Sequence, residues 1–312
     1  MKRGRGAKKP RPLFIYMRTG TTKTGWGLVL PLVVLYLALT IFPFIYTIVI
    51  SFFDYNLAKG GTPRFIGVNN YIAIFSTDRL ARDSVRFSIV ILLIAVPLET
   101  ILGTALAFLI RGVKGEHTVR TLLLVPMMVP PVVAGIMWKM LFNFAYGPIN
   151  YVLSLATLPK ISWLGDWFYS QVAVVIMDIW QWTPFVFLIT YAGLQGIPID
   201  LVEAARVDGA NAWDVCRYVE LPMLLPLILV AFLLRLIDAL KLFDIVYMTT
   251  WGGPGSATHS FSFYIYKVGI SYGWDVGYAA ALSILLLMVS SVLVNLLIKM
   301  LNLNKQLGLG AK

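Results

Sequence analysis

Residues 196–222 read GIPIDLVEAARVDGANAWDVCRYVELP, and they lie between two long apolar blocks, Gln171 to Leu194 and Leu221 to Ile245. Asp200 followed three residues later by Glu203 is a variant of the capping box that starts a helix. Asp208-Gly209 stops that helix, glycine being suited to a left-handed turn. Asn211, with Asp214 three residues on, caps a second helix. The stretch is expected to form two short helices meeting at a bend. It carries Asp200, Glu203, Asp208, Asp214 and Glu220 against Arg206 and Arg217. A connection of a few residues would join two apolar blocks equally well. A bent, amphipathic pair of mixed charge suits a groove on a soluble partner. The plainer alternative is a helix pair lying on the membrane surface.

The flanking blocks set the class. The chain has 312 residues, 59% of them hydrophobic and only 13% charged, and its mean hydropathy is +0.79. A soluble domain carries about 25% charged residues, so a disordered chain and an ordinary soluble enzyme are excluded. A bilayer core of ~30 Å is crossed by about 20 helical residues. Six blocks are long enough: Thr24–Phe53, Phe87–Ile110, Thr121–Phe142, Gln171–Leu194, Leu221–Ile245 and Val276–Ile298. They are continuous rather than alternating, so a membrane β-barrel is excluded. The chain reads as an all-α integral membrane protein. Its parts are a basic tail (1–23), a first transmembrane helix (24–53), an outer loop (54–86), a five-helix core (87–298) and a C-terminal tail (299–312). The first block is too long for a signal-peptide core, so no cleavable leader is expected.

The net charge is +11. Basic residues sit mainly at block ends, which reads as a topology signal rather than nucleic-acid binding. The side holding both termini and residues 196–222 has 16 Lys and Arg; the other has 7. The positive-inside rule then puts both termini in the cytoplasm. Cys216 is the only cysteine, and the two histidines, His117 and His259, are far apart in sequence. Neither a disulfide nor a metal site is expected. The outer loops are rich in Gly, Pro and aromatics. Trp163, Trp167, Phe168 and Tyr169 read as an interfacial belt, with a ligand platform as the alternative.

The 196–222 segment resembles the EAA loop of permease subunits of bacterial ATP-binding-cassette importers. That pattern is E-A-A, three residues, G, nine residues, I, one residue, L-P. Here it is Glu203-Ala204-Ala205, Gly209, Val219, Leu221 and Pro222, with Val for Ile the only change. The flanks, Gly193 to Pro198 and Phe243-Asp244 with Gly252-Gly253-Pro254-Gly255, are similar to the carbohydrate branch, the maltose- and polyol-type permeases. The resemblance runs from about Asn69 to Ile298 and implies the type I importer permease fold. It also implies a role as half of a sugar-translocating pore in the cell inner membrane, with a second permease subunit as the other half. Two cytoplasmic ATPases would dock on the EAA loops, and an extracytoplasmic binding protein would deliver a sugar or polyol. Asp200, Glu203, Ala204, Ala205, Asp208, Gly209, Leu221 and Pro222 would couple the ATPase to the spans. The chain has no Walker A sequence, so no cofactor is expected in it; ATP and Mg belong to the partner.

Ionisable groups inside the blocks are costly and face a bundle interior or cavity. Glu99 falls mid-membrane and is either a buried structural carboxyl or a pathway group. Asp178 and Gln181 share one face of the fourth block. Arg235, Asp238, Lys241 and Asp244 recur every three residues on the fifth. They form either an ion-pair ladder or a face meeting a hydroxylated solute, with Trp180, Trp182 and Tyr191 as stacking candidates. Asp178 and Arg235 are expected at similar depth and can pair, Asp238 being the rival partner. Pro126, Pro130 and Pro131 should kink or unwind the third block, and Pro97 and Pro184 the second and fourth. Two other functions fit less of the sequence. A stand-alone secondary transporter or channel explains the intramembrane charges but not the EAA spacing. An integral-membrane enzyme lacks any visible catalytic constellation.

Overall fold

In a bilayer each backbone polar group must be satisfied within the chain, so long apolar runs become helices. The computed structural model describes residues 22–300. The basic tail through residue 21, and the C-terminal tail from residue 301 with Lys305 and Lys312, lie outside the described residues. Contacts divide the chain into two units between Thr47 and Ile48. The first unit is helical throughout residues 22–47, with a π-helical turn at Leu37–Ile41, and its apolar helix α1 (Val29–Ile50) ends just past the division.

The second unit opens with a two-stranded antiparallel ribbon, β1 (Phe53–Asp54) and β2 (Arg64–Phe65), in which Phe53 pairs with Phe65. The helices then follow as α2 (Asn69–Ser76), α3 (Arg79–Ile110), α4 (Glu116–Met128), α5 (Pro131–Leu141) and α6 (Pro148–Leu155). The rest are α7 (Trp167–Gln195), α8 (Ile199–Val207), α9 (Ala212–Ala239), α10 (Asp244–Thr249), α11 (Phe261–Tyr266) and α12 (Val276–Met300). Helices α1, α3, α7, α9 and α12 are each long and apolar enough to cross a bilayer, and α4 with α5 supplies a sixth span if the bent pair is counted as one.

The spans differ from the sequence reading at several bounds, the fourth starting at Trp167 rather than Gln171 and the fifth at Ala212 rather than Leu221. The second span starts at Arg79 rather than Phe87, because Asp78 caps the helix, its carboxylate accepting from the Ala81 amide at 2.9 Å. The third is two helices bent by 96°, the unwinding that its prolines allowed rather than a simple kink. A residue before proline is pushed out of the α region. Val129 and Pro130 are accordingly extended, with ψ of 125° and 136°. Pro126 is tolerated inside α4, and α7 continues through Pro184. Pro97 follows a π-helical turn, Ile91–Ala95, whose wider winding accommodates it. The fifth span ends at Ala239, where Lys241 N–H and Leu242 N–H turn back to the carbonyls of Asp238 and Ala239. Lys241 and Asp244 therefore leave the helix that carries Arg235 and Asp238.

Helices α3 and α7 form the centre of the second unit. Gly103 of α3 lets the backbones meet: a Cβ there would lie 2.7 Å from Val186 Cβ and 2.8 Å from Phe187 N. One apolar cluster gathers Phe87, Ala95, Met177, Leu236, Val246 and Phe263; another, nearer α8, gathers Ala107, Phe187, Leu194, Leu224 and Ile228.

Candidate functional site

Arg235 projects from α9 into a shell of carboxylates. Its Nε and Nη2 donate to the two oxygens of Glu99 at 2.7 and 3.1 Å. Nη2 also donates to Asp178 at 3.1 Å, and Nη1 to Asp238 at 2.7 Å. The Trp182 ring lies 4.8 Å from the guanidinium carbon, a cation–π contact. Arg235, Glu99 and Asp178 are at most 2% exposed, whereas the Asp238 side chain is 54% exposed. The hub thus joins α3, α7 and α9, and only one of its carboxylates opens outward. Its planar fork matches carboxylate geometry, which suits arginine to this position.

Beside the hub is a cavity of about 270 Å³ lined by Asp178, Trp182, Asp238, Lys241, Phe243 and Asp244, with Pro131 at the α4–α5 break. Among the described residues Lys241 and Asp244 enter no ion pair. The expected ladder is therefore confined to Arg235 and Asp238, since the helix ends before the next two rungs. Gln181 turns elsewhere, donating from Nε2 to the Val129 carbonyl at 2.9 Å. It serves a carbonyl at the break rather than the cavity. Trp180 packs edge-on against Trp138 and lines a separate apolar cavity with Leu106, Leu122 and Pro126. Tyr191 lies at the α8 end, its hydroxyl donating to Glu116.

The second region is α8 and the start of α9. Asp200 is not the cap: the helix begins at Ile199 behind Pro198, placing Asp200 in the first turn without a capping bond. A carboxylate there still complements the helix dipole. Gly209 adopts φ +90°, with open space around its Cα. Asn211 and Asp214 form the expected capping box. Asn211 Oδ1 accepts from the Trp213 and Asp214 amides at 2.9 and 3.0 Å, and Asp214 accepts from the Asn211 amide at 3.2 Å. Val202 and Val215 are buried, so α8 is seated on the first turns of α9. Glu203, Ala204, Asp208, Leu221 and Pro222 are exposed, Ala205 partly so. Val207, Trp213 and Tyr218 add a solvent-facing apolar surface, 87%, 68% and 67% exposed. Sequence reasoning missed these three, although large apolar residues flanking Gly209 are a signal that a partner covers the bend.

The geometry can be set beside known proteins. The family described as "Binding-protein-dependent transport system inner membrane component" matches residues 99–304. A trehalose/maltose transport system permease protein of Thermococcus litoralis is 38% identical over 270 residues, covering 84% of this chain and 88% of the relative. A sulfoquinovosyl glycerol transport system permease protein of Agrobacterium fabrum is 34% identical, covering 84% and 85%. Among solved structures, a chain of a bacterial ABC transporter involved in the import of the acidic polysaccharide alginate superposes with a TM-score of 0.79. It is 21% identical and covers 89% of this chain and 94% of that one, a likeness of fold.

Proposed function

The chain belongs to the family of binding-protein-dependent transport system inner membrane components, and from that premise we propose that it is the permease subunit of an ATP-driven sugar importer. The observation that carries this reading is the exposed α8–α9 bend. It presents Glu203, Ala204 and Gly209 at the spacing of an ATPase-docking loop, with Val207 and Trp213 beside them. The trehalose/maltose permease relative supports a sugar as solute.

In the proposed assembly this chain pairs with a second permease, and two ATPases bind the bends. ATP and Mg reside in those ATPases, and an extracytoplasmic binding protein delivers the solute. In this reading the α8 end faces the cytoplasm, a side supported by the 16 to 7 bias of basic residues. Asp200 and Asp208 flank the docking surface. Leu221 and Pro222 connect it to the membrane part of α9. On the solute path, Asp178, Asp238, Lys241 and Asp244 offer acceptors and donors to hydroxyls, and Trp182 offers an apolar face. Arg235, itself gripped by Glu99, holds the first two of these carboxylates in place.

The test is reconstitution in liposomes with the second permease, the ATPases and the binding protein. ATP-dependent accumulation of trehalose or maltose, lost when the ATPases are omitted, is the expected result. Accumulation by this chain without ATP or ATPase would overturn the proposal in favour of a stand-alone transporter.

A further inference from the structure

Arg111, the extended residue just past α3, donates to the carboxylate of Glu220 across 109 residues of sequence. Glu220 closes a π-helical turn, Cys216–Glu220, inside the first part of α9, and its side chain is only 6% exposed. By sequence alone Arg111, a basic residue at the end of the second apolar block, reads as one of the 16 topology charges. The same α3–α4 turn is tied to α7. Glu116 accepts from the Gly112 amide at 2.8 Å and from the Tyr191 hydroxyl. The Arg120 guanidinium lies 5.5 Å from the Tyr191 ring. Above this, Gly103 lets α3 and α7 meet backbone to backbone, so the two helices form one stiff pair. That pair carries Glu99 and Asp178, both of which bind Arg235. Glu99 is 12 residues from Arg111, a helical distance of about 18 Å.

We infer that Arg111 and Glu220 are positioning residues for energy coupling, a persistent link that makes α3 and α7 move with the α8–α9 bend. This deepens the importer reading and rests on it. Without the link, motion of the bend would reach α9 directly and α7 through the short 196–198 connection, but α3 only through its packing on those two helices. With it, all three helices of the hub are driven together. The π-helical turn before Leu221 makes the link necessary, because a local break in regular helix geometry is where α9 would otherwise flex. A buried carboxylate paired with arginine is a charge-assisted, geometrically defined contact, and removing either partner leaves the other without its match.

The experiment uses the assembled transporter in a Cys216→Ser background, with spin labels on cysteines placed at Leu109 and Val207, both well exposed. Distances are read by pulsed electron paramagnetic resonance without nucleotide and after trapping with ATP and vanadate. Trapped nucleotide in the wild-type assembly is the control for the importer reading, and its absence would sink that reading before the link is tested. Given trapping, the expected result is an unchanged Leu109–Val207 distance in the wild-type pair. A shifted or broadened distance is expected in Arg111→Gln, with return toward wild type in Arg111→Lys. If Arg111→Gln does not assemble, Glu220→Gln, which keeps the shape and one acceptor oxygen, is read the same way. A wild-type distance that shifts on trapping overturns the inference, as does an invariant distance in the Gln variant.

Discussion

Arg235 grips both oxygens of Glu99, at 2.7 and 3.1 Å, across 136 residues of sequence, with neither side chain more than 2% exposed. A pair so buried stabilises less by its attraction than it costs to leave half made. Arg235→Met strands Glu99 and Asp178 as neighbouring buried carboxylates. Glu99→Gln leaves the guanidinium with Asp178 and Asp238. Each single change is expected to lower folding stability, Arg235→Met by about 3–5 kcal/mol and Glu99→Gln by less. The Glu99→Gln/Arg235→Met double variant should lose less than the two losses added. The midpoint of thermal unfolding in detergent measures this, and strict additivity would contradict it.

Asp178 and Asp238 both reach Arg235 and both line the cavity, but Asp178 is buried whereas 54% of the Asp238 side chain is exposed. Water offsets part of what Asp238 contributes, and an exposed ion pair is worth about 0–1 kcal/mol. Asp238→Asn should therefore cost roughly 1 kcal/mol or less, and Asp178→Asn more than twice that. If the cavity carries the solute, Asp238→Asn should nonetheless slow uptake strongly. A variant with unchanged stability and unchanged uptake would remove Asp238 from the solute path.

Gly209 sits at φ +90° with no atom within 4 Å of where a Cβ would be. Substitution there meets no clash, so its cost is that of the backbone alone, about 1–2 kcal/mol for an L-residue. Gly209→Ala and Gly209→Leu should reorient the bend while leaving the membrane core folded. ATPase association, followed by co-purification, should fall in both, while the unfolding midpoint moves little. Normal association in both variants would show that the bend angle does not matter for docking.

The legibility of this chain followed the range of the interactions. The helix stop at Asp208-Gly209 and the Asn211–Asp214 capping box were readable because they are settled within four residues. The carboxylates of the hub were readable as costly groups in apolar blocks, and the depth argument brought Asp178 to Arg235. It did not bring Glu99, because helix rotation is fixed by packing and not by spacing. Arg111 was hidden for a different reason: a basic residue at a span end already has an explanation in topology. The break in the third span was legible from its prolines, but its size was not. Two consecutive extended residues, Val129 and Pro130, produced the 96° turn. Lys241 was misplaced because the three-residue spacing continues past the point where the helix stops.

Gly103 is a packing position rather than a conformational one. A Cβ would fall 2.7 Å from Val186 Cβ and within 3 Å of the Phe187 amide nitrogen and Thr183 carbonyl. Two of those three atoms are backbone and cannot swing aside. Gly103→Ala should force α3 and α7 apart and lower stability by about 1–3 kcal/mol, and Gly103→Val by more. The same step at Gly112, where no atom lies within 4 Å but φ is +74°, should cost only the backbone term. Equal losses for alanine at 103 and 112 would refute the close helix contact.

His259 supplies a pH dependence whose sign can be worked out. The ring is fully buried between Gly252 and Phe263, and Lys267 Nζ lies 3.2 Å from its Nε2. Burial first, and then the Lys267 charge, push the imidazole from its ordinary 6.5 down to about 4; Asp83 acts weakly the other way. With the ammonium donating to Nε2, the neutral ring carries its proton on Nδ1, which has no partner among the described residues. The folded protein thus holds His259 neutral where the unfolded chain would protonate it. Between pH 6.5 and 4 the unfolded state binds more protons, so stability rises with pH across that window. Full stability is present above 6.5, and it falls as the pH drops toward 4, by on the order of 3 kcal/mol at the most. His259→Gln keeps an acceptor for Lys267 and cannot titrate. Its unfolding midpoint should be lower than wild type at pH 7.5, and the difference should shrink as the pH approaches 4. Carboxylates common to both proteins cancel in that difference. A gap that stays constant with pH would show that His259 is not held neutral by the fold.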